Sequence, residues 1–93
     1  MRKVRPDEYI KITNKAMAVM IKRVLGIKGK VLIADSVYFT DNADIAEYAV
    51  SAVYELKASG IIKGYENAFL PKNSLTRAEA ASVIYAFINT ISE

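Results

Sequence analysis

The same short pattern occurs twice in this chain, and it restricts the fold more than any other feature of the sequence. An aliphatic residue, a threonine and then a helical pattern are found at residues 12–18 and again at residues 75–81. Aligning the two segments places Thr13 on Thr76 and matches the apolar positions of the helices that follow. Such units usually bury their apolar faces against neighbouring units, so the pattern predicts stacked copies of one helical unit.

The repeat divides the 93-residue chain unevenly. Residues 1–30 correspond to the distal half of a degenerate unit, and residues 31–93 correspond to one complete unit. A chain of this length is one small domain, so both parts should share a single core. We therefore expect a mostly α-helical repeat module with three main helices and long ordered loops.

The first and third helical patterns begin at equivalent capping residues. The first begins at Thr13 and ends at Gly26. The third begins at Thr76, where Glu79 completes a capping box, and it should run nearly to the C-terminus.

The second pattern should form the central helix, because it is apolar on more than one flank. It begins near Asp44, which takes the capping position, and it ends at Gly60. A left-handed backbone at Gly60 would let Ile61 fold back onto Leu56 in a Schellman closure.

Two connecting segments carry apolar residues between turn-forming ones. Residues 31–33 and 37–39 are interpreted as short strands or as buried loop anchors. Residues 61–75 should form a compact loop with four inward-facing anchors, at Ile62, Tyr65, Phe69 and Leu75.

Composition and charge limit the classes of function that are open to this chain. Hydrophobic residues make up 53% of the chain, which favours burial against a partner chain or adjoining repeats. No segment reaches the roughly 20 apolar residues of a spanning helix, and we expect no export signal at the N-terminus. Cysteine and histidine are absent, so no thiolate site and no histidine base or zinc ligand is available. We expect no active site, no metal and no cofactor.

The basic residues are concentrated at one end of the chain. Residues 1–30 contain nine Lys/Arg and two acidic residues, whereas residues 31–93 contain four and eight. This asymmetry suggests an anionic partner, such as a polymer, a membrane surface or nucleic acid. A basic face that is simply solvated is the alternative.

A known family is recognisable between residues 39 and 88. In order, the chain carries Phe39-Thr40-Asp41, Tyr48-Ala49, Gly60-Ile61-Ile62-Lys63-Gly64-Tyr65, Phe69-Leu70-Pro71 and Leu75-Thr76-Arg77-Ala78-Glu79-Ala80-Ala81. In this order and spacing the segments resemble an S-layer homology repeat. Three positions depart from the family pattern: Tyr48 replaces a frequent Trp, Asn67-Ala68 replaces a common Gly, and Asn14-Lys15-Ala16 stands where the family has Arg-Ala-Glu.

The resemblance implies a non-catalytic module, usually present in several copies. Such modules bind secondary cell-wall polysaccharides, often pyruvylated, in grooves between repeats. They anchor S-layer proteins and surface enzymes noncovalently. On this basis we expect an extracellular cell-wall or S-layer location within a longer exported protein.

Arg77 is the first candidate for binding the polymer. It takes the first helical position after the Thr76 cap, where partial positive charge already disfavours a cation by about 0.3 to 1 kcal/mol. A bound anion would explain an arginine there, since free amides and a guanidinium both donate paired hydrogen bonds. The alternative from chemistry alone is an arginine paired with an acidic residue elsewhere.

Three further residues are candidates with structural alternatives. Tyr65 has a ring for a sugar face, but it is equally suited to anchoring the loop. Lys15 lies one position after the equivalent of Arg77 and otherwise is a solvated lysine. Asp41 is better suited to ordering the turn before the second helix than to touching ligand. Thr13, Asp44, Thr76, Glu79 and Gly60 are assigned structural capping roles.

Two other functions remain open from the sequence. One is a ligand-free assembly module in which the half-repeat pairs with another copy, giving a homo-oligomer. The other is nucleic-acid binding through the basic first 30 residues. The sequence contains no convincing recognition helix for this function. The phosphate contacts would come from Arg2, Lys3, Arg5, Lys11, Lys15, Lys22 and Arg23.

Overall fold

The computed structural model describes residues 9–92, and within them the chain is mostly helical, as the sequence predicts. Three α-helices are present in this range, together with two short 3-10 helices and one small sheet. The helices are α1 (Asn14–Ile27), α2 (Val50–Ala58) and α3 (Arg77–Ser92); the 3-10 helices are Asn42–Asp44 and Glu47–Ala49; the strands are β1 (Tyr9–Thr13) and β2 (Ser74–Thr76).

The small sheet joins the two segments that the sequence repeat matches. Strands β1 and β2 are antiparallel, with Tyr9 opposite Thr76 and Thr13 opposite Ser74 and an irregular register between these pairs. Each strand leads directly into a helix, β1 into α1 and β2 into α3. The sequence did not predict this sheet, because a three-residue strand is too short to show a two-residue period.

Helices α1 and α3 start in the same way. The Thr13 hydroxyl accepts a hydrogen bond of 3.2 Å from the Ala16 amide. At α3 the full capping box is present: the Thr76 hydroxyl accepts from the Glu79 amide at 3.1 Å, and the Glu79 carboxylate accepts from the Thr76 amide at 2.8 Å. The capping threonine therefore fixes where each of the two equivalent helices begins.

The predicted end of α1 at Gly26 is wrong. The helix continues to Ile27, and the left-handed residue is Gly29, with a φ of 75°. The Lys30 amide donates to the Leu25 carbonyl at 2.9 Å and the Gly29 amide donates to the Gly26 carbonyl at 3.0 Å, which is a Schellman closure. Gly26 is thus an ordinary helical residue, and the helix ends at the second glycine.

Alanine substitutions at these two glycines should have opposite effects. Gly26→Ala should stabilise the protein by up to about 1 kcal/mol, because alanine is the better helix former and the added methyl has open space. Gly29→Ala should destabilise it by about 1 to 2 kcal/mol, since a side chain is strained at positive φ. Urea unfolding of both variants measures the difference. Stabilisation by Gly29→Ala would contradict this assignment of the helix end.

The assignment of Asp44 as the cap of the second helix is also wrong. Asp44 ends a 3-10 helix, and Ile45 and Ala46 then turn to extended backbone, with ψ of 124° and 138°. This interruption places the Ile45 side chain in the core, where it is 6% exposed. Helix α2 therefore begins only at Val50, and no side chain caps it.

The other end of α2 matches the prediction. Gly60 has a φ of 84°, its amide donates to the Lys57 carbonyl at 3.1 Å, and the Ile61 amide donates to the Leu56 carbonyl at 3.0 Å. Ile61 and Leu56 are both buried. The closure directs the chain from α2 into the loop that follows.

Helix α2 supplies the centre of the core, as expected for the central helix. Val53, Tyr54 and Leu56 are almost completely buried. The Tyr54 hydroxyl accepts from the Phe39 amide at 3.2 Å and donates to Asn42 Oδ1 at 2.6 Å, so the loop before α2 is tied to the helix. Burial raises the pKa of Tyr54 above its ordinary value.

The Phe39 ring stacks on the rings of Tyr54 and Phe69, each at 5.9 Å between centroids.

The connecting segments are less buried than their apolar sequences suggest. In residues 31–33 and 37–39 only Phe39 is buried, with Leu32 packed partly against the core; Val31, Ile33, Val37 and Tyr38 are exposed. The strand interpretation is wrong for both segments. In the loop after α2, Ile62, Phe69 and Leu75 face inward as predicted, whereas Tyr65 does not.

Candidate binding surface

Tyr65 lies on a rigid two-residue turn. The Tyr65 and Ala68 backbones exchange two hydrogen bonds of 2.9 Å, and Glu66 and Asn67 between them have φ of 49° and 63°. Positive φ at both central positions is the geometry of a tight hairpin turn. The Asn67 carbonyl also accepts from the amide and the hydroxyl of Thr40. The turn is therefore fixed to the segment that precedes α2.

Two polar side chains hold the backbone of Phe69 and Leu70. Asp41 accepts from the amides of Phe69 and Leu70 through its two carboxylate oxygens, each at 2.9 Å. The Asn14 side-chain amide donates to the carbonyls of the same two residues, at 3.1 and 2.9 Å. Asp41 therefore orders this loop, and Asn14 attaches the start of α1 to it.

Backbone strain is concentrated in this segment. Within residues 9–92, all three non-glycine residues with positive φ lie here: Glu66, Asn67 and Leu70, the last with a φ of 57°. Such conformations cost about 1 to 3 kcal/mol each and persist only where the surroundings enforce them, which is common at binding sites. The contacts from Asp41, Asn14 and Thr40 supply that enforcement. We call residues 65–71 the strained loop.

The ring of Tyr65 borders a groove. The groove has a volume of about 720 Å³ and runs between residues 60–65 and one face of α3, where Ser82, Tyr85 and Asn89 line it. Tyr65 is 60% exposed, so its ring is open to solvent. Two tyrosines beside a hydroxyl and an amide combine apolar faces with hydrogen-bonding groups, a composition suited to a sugar.

Arg77 lies one residue before the part of α3 that lines this groove. It is the first residue of α3 and is exposed, and the next residue, Ala78, lines the groove. The capping box leaves Arg77 beside the first-turn amides of the helix, which favour anions. Tyr65 is among the residues that line the groove, whereas Arg77 is not.

Lys15 is the second residue of α1, one position after Asn14, which aligns with Arg77. Its amide donates to the Pro71 carbonyl at 3.1 Å, and its ammonium group lies 5.6 Å from the centre of the Tyr48 ring. Tyr48 is largely exposed. Lys15 is therefore not merely a solvated lysine, because it forms a cation–aromatic pair. Lys15 contacts the strained loop through its backbone amide, and Asp41 contacts it through its carboxylate.

Sequence reasoning missed Asn14 and Tyr48 as members of this surface. Both positions were noted only as departures from the family pattern. A short amide at Asn14 reaches backbone carbonyls of the strained loop, and the ring at Tyr48 receives the lysine. The available signal was their position: Asn14 aligns with Arg77, and Tyr48 stands in the family's aromatic position.

Two of the remaining basic residues form ion pairs with acidic side chains. Lys22 pairs with Glu55, and Lys57 pairs with Asp35 at 3.1 Å. Arg2, Lys3 and Arg5 lie outside the described residues. Among residues 9–92, no cluster of acidic side chains is arranged to hold a metal ion, and no helix has the length and apolar character to cross a membrane.

Comparisons with known proteins agree with the resemblance in the sequence. Residues 38–81 match the family model described as S-layer homology domain. An amylopullulanase from Thermoanaerobacterium thermosulfurigenes is 39% identical over 51 residues, which are 54% of this chain and 3% of that protein. The chain thus corresponds to a very small part of this relative. No solved structure matches significantly.

The matched range contains most of the surface described above. Asp41, Tyr48, the strained loop and Arg77 all lie within residues 38–81. Domains of this kind are non-catalytic modules with a general role in anchoring exported proteins at the cell surface. The match to the S-layer homology domain family therefore rests on residues 38–81, which are just under half of the chain.

Proposed function

We propose that this chain binds an anionic secondary cell-wall polysaccharide, such as a pyruvylated one, and so anchors a longer exported protein to the bacterial cell wall or S-layer. The observation that carries the proposal is the strained loop. It is held rigid by Asp41 and Asn14, and it presents Tyr65 beside the groove that continues to the start of α3. A site that is rigid before binding loses less entropy when a flexible polymer binds.

Each candidate residue has a distinct role in this proposal. Arg77 donates hydrogen bonds to a carboxylate of the polymer, such as that of a pyruvate ketal. Tyr65 packs its exposed ring on a sugar face. Lys15 and the Tyr48 ring offer a second, weaker contact at the start of α1. Asp41 does not touch the polymer and positions the loop instead.

The division of the chain into repeats is part of the same proposal. Residues 1–30 are the distal half of a degenerate unit, and residues 31–93 are a complete unit. The pairing of β1 with β2 and the equivalent threonine caps of α1 and α3 support this division. The two units share one core, since α1 contributes the buried Met17 and Leu25 to it.

Retention on purified cell-wall sacculi tests the binding role. Arg77→Ala should lower retention about tenfold or more, because a hydrogen bond to a charged group contributes about 1.5 to 3 kcal/mol. Arg23→Ala is the matched control, since Arg23 is an exposed arginine on α1 away from the groove. Retention should disappear when the secondary polymer is removed from the sacculi.

The control separates specific binding from attraction by overall charge. Equal losses from Arg77→Ala and Arg23→Ala would reject the proposed site, since both variants remove one positive charge. A well-folded wild type that is not retained at all would reject polymer binding by this chain. If both variants lose retention equally and retention also falls steeply as the salt concentration rises, binding depends on overall positive charge, as expected for nucleic-acid binding.

A ligand-free assembly module is the second candidate function. The observation that favours it is an exposed apolar face on α3, formed by Ile84, Tyr85 and Ile88, with Met20 and Ile27 exposed on α1. Soluble monomers seldom expose large apolar patches. Tyr85 also lines the groove, so assembly through this face and polymer binding would compete for that residue.

A further inference from the structure

The groove beside Tyr65 carries a stripe of polar side chains along α3. Ser82, Tyr85 and Asn89 are three and four residues apart, so they lie on one face of the helix, and all three are exposed and line the groove. Within residues 9–92 their side chains make no hydrogen bond, whereas the hydroxyls of Thr90 and Ser92 bond back to carbonyls of their own helix. We call Ser82, Tyr85 and Asn89 the polar stripe. Its polar groups are available to a ligand.

The opposite wall of the groove offers backbone groups. Residues 60–64 line this wall, and the glycines at its two ends leave the backbone accessible to a ligand. The amides of Lys63 and Gly64 donate to no acceptor in the part of the chain that the structure describes. A hydroxyl group both donates and accepts hydrogen bonds. Two walls with unpaired polar groups therefore suit a ligand that is rich in hydroxyls, such as a sugar.

Lys63 is the one basic residue of the described range that lines the groove. Its ammonium group forms no ion pair within residues 9–92, whereas Lys22 and Lys57 each pair with a carboxylate. Glu79 also lines the groove, but its carboxylate already accepts a hydrogen bond from the Thr76 amide. Lys63 thus supplies the groove with a positive charge that no carboxylate of the described residues contacts.

We propose that Lys63 holds an acidic group of the wall polymer inside the groove, and that the polar stripe binds the uncharged sugar units beside it. This inference rests on the proposed function and adds a second cation to it, because Arg77 does not line the groove. A lysine ammonium is a compact charge on a flexible chain of four carbons, so it can follow a carboxylate over several positions.

The dimensions of the groove favour a run of sugars over a single one. Its α3 wall extends from Ala78 to Asn89, which is about 16 Å at about 1.5 Å per residue. Its volume of about 720 Å³ lies in the range of about 300 to 1,000 Å³ that holds a drug-sized ligand. The unit that is recognised is therefore an oligosaccharide with an acidic group near Lys63.

Binding of two forms of one polymer tests the role of Lys63. One probe is the soluble polysaccharide released from sacculi, and the other is the same polysaccharide after its carboxylates are reduced to alcohols. Lys63→Ala should lower affinity for the acidic form at least about tenfold and leave affinity for the reduced form within about twofold of wild type. Lys72→Ala is the matched control, since Lys72 is exposed and does not line the groove.

The polar stripe should act on both forms equally, because it binds uncharged groups. A double variant with Ser82→Ala and Asn89→Ala should bind each form at least about fivefold more weakly, since two neutral hydrogen bonds are lost. Alanine favours the helix at both positions, so the loss would not come from unfolding. Ser92→Ala is the control, because its hydroxyl already bonds to the Ile88 carbonyl.

The outcomes separate this inference from the proposed function. Equal losses from Lys63→Ala and Lys72→Ala on the acidic form would overturn the role of Lys63, and unchanged binding of both forms by the double variant would overturn that of the polar stripe. If Arg77→Ala weakens binding and neither of these variants does, the inference fails while the proposed function stands. A folded wild type that binds neither form rejects both.

Discussion

Replacing Gly64 with alanine should destabilise the fold by about 3 kcal/mol or more. Gly64 has a φ of 76°, and a methyl group there would lie 2.6 Å from Phe39 Cε1 and 2.7 Å from the Ala68 carbonyl oxygen. A side chain at positive φ costs about 1 to 2 kcal/mol, and overpacking adds about 1 to 3 kcal/mol. Neither neighbour moves easily, since Phe39 stacks between two rings and the Ala68 carbonyl closes the Tyr65 turn.

Gly29→Ala is the matched control for this substitution. Gly29 has nearly the same φ, 75°, but its added methyl would meet nothing within 4 Å. The difference in unfolding free energy between the two variants therefore isolates the steric overlap from the backbone strain. Urea unfolding measures both. Equal destabilisation would show that Phe39 and the Tyr65 turn adjust to a side chain at residue 64.

The parts of the fold that the sequence predicts are those with a local signal. The threonine caps of α1 and α3, the Glu79 capping box and the Gly60 closure each depend on residues a few positions apart. Their hydrogen bonds form within one turn of helix, so the residue types are sufficient to locate them. The mostly helical fold follows from these signals together with apolar periodicity.

The parts that the sequence did not predict depend on distant contacts. Asp44 has the residue type of a cap, but burial of Ile45 interrupts the helix after it. Gly26 and Gly29 both have the residue type that ends a helix, and only the hydrogen bonds to Leu25 and Gly26 select the second. Local pattern gives the candidates, and packing decides among them.

In the candidate site, too, the sequence predicts the features that depend on neighbouring residues and misses those that depend on distant contacts. The sequence placed Arg77 at a helix start correctly, because its cap is local. It did not predict that Asn14 would reach the carbonyls of residues 69 and 70, which are more than 50 positions away. Nor did it predict that Tyr65 would face solvent, since an aromatic residue in an apolar loop is equally suited to the core. This information depends on contacts between residues that are far apart in the sequence.

Asp41→Ala should be the second strongly destabilising substitution, at about 3 kcal/mol. The substitution removes a carboxylate that accepts two backbone hydrogen bonds. Each hydrogen bond to a charged group contributes about 1.5 to 3 kcal/mol, and this contribution is smaller where water can replace the lost partner. Without Asp41, the amides of Phe69 and Leu70 lose their partners while Leu70 keeps its unfavourable φ. Asp44→Ala is the matched control, because Asp44 is exposed and caps no helix through its side chain. Its effect should stay within about 0.5 kcal/mol.

The combination of stability and binding data decides the role of Asp41. If Asp41 positions the strained loop, Asp41→Ala should lower the unfolding free energy and also lower sacculus retention measured at a temperature where the variant is folded. Arg77→Ala, in contrast, should lower retention with little change in stability, because its side chain is exposed. If Asp41→Ala lost retention at unchanged stability, Asp41 would be a direct polymer ligand. Since its two oxygens are already occupied by the Phe69 and Leu70 amides, we expect the first result.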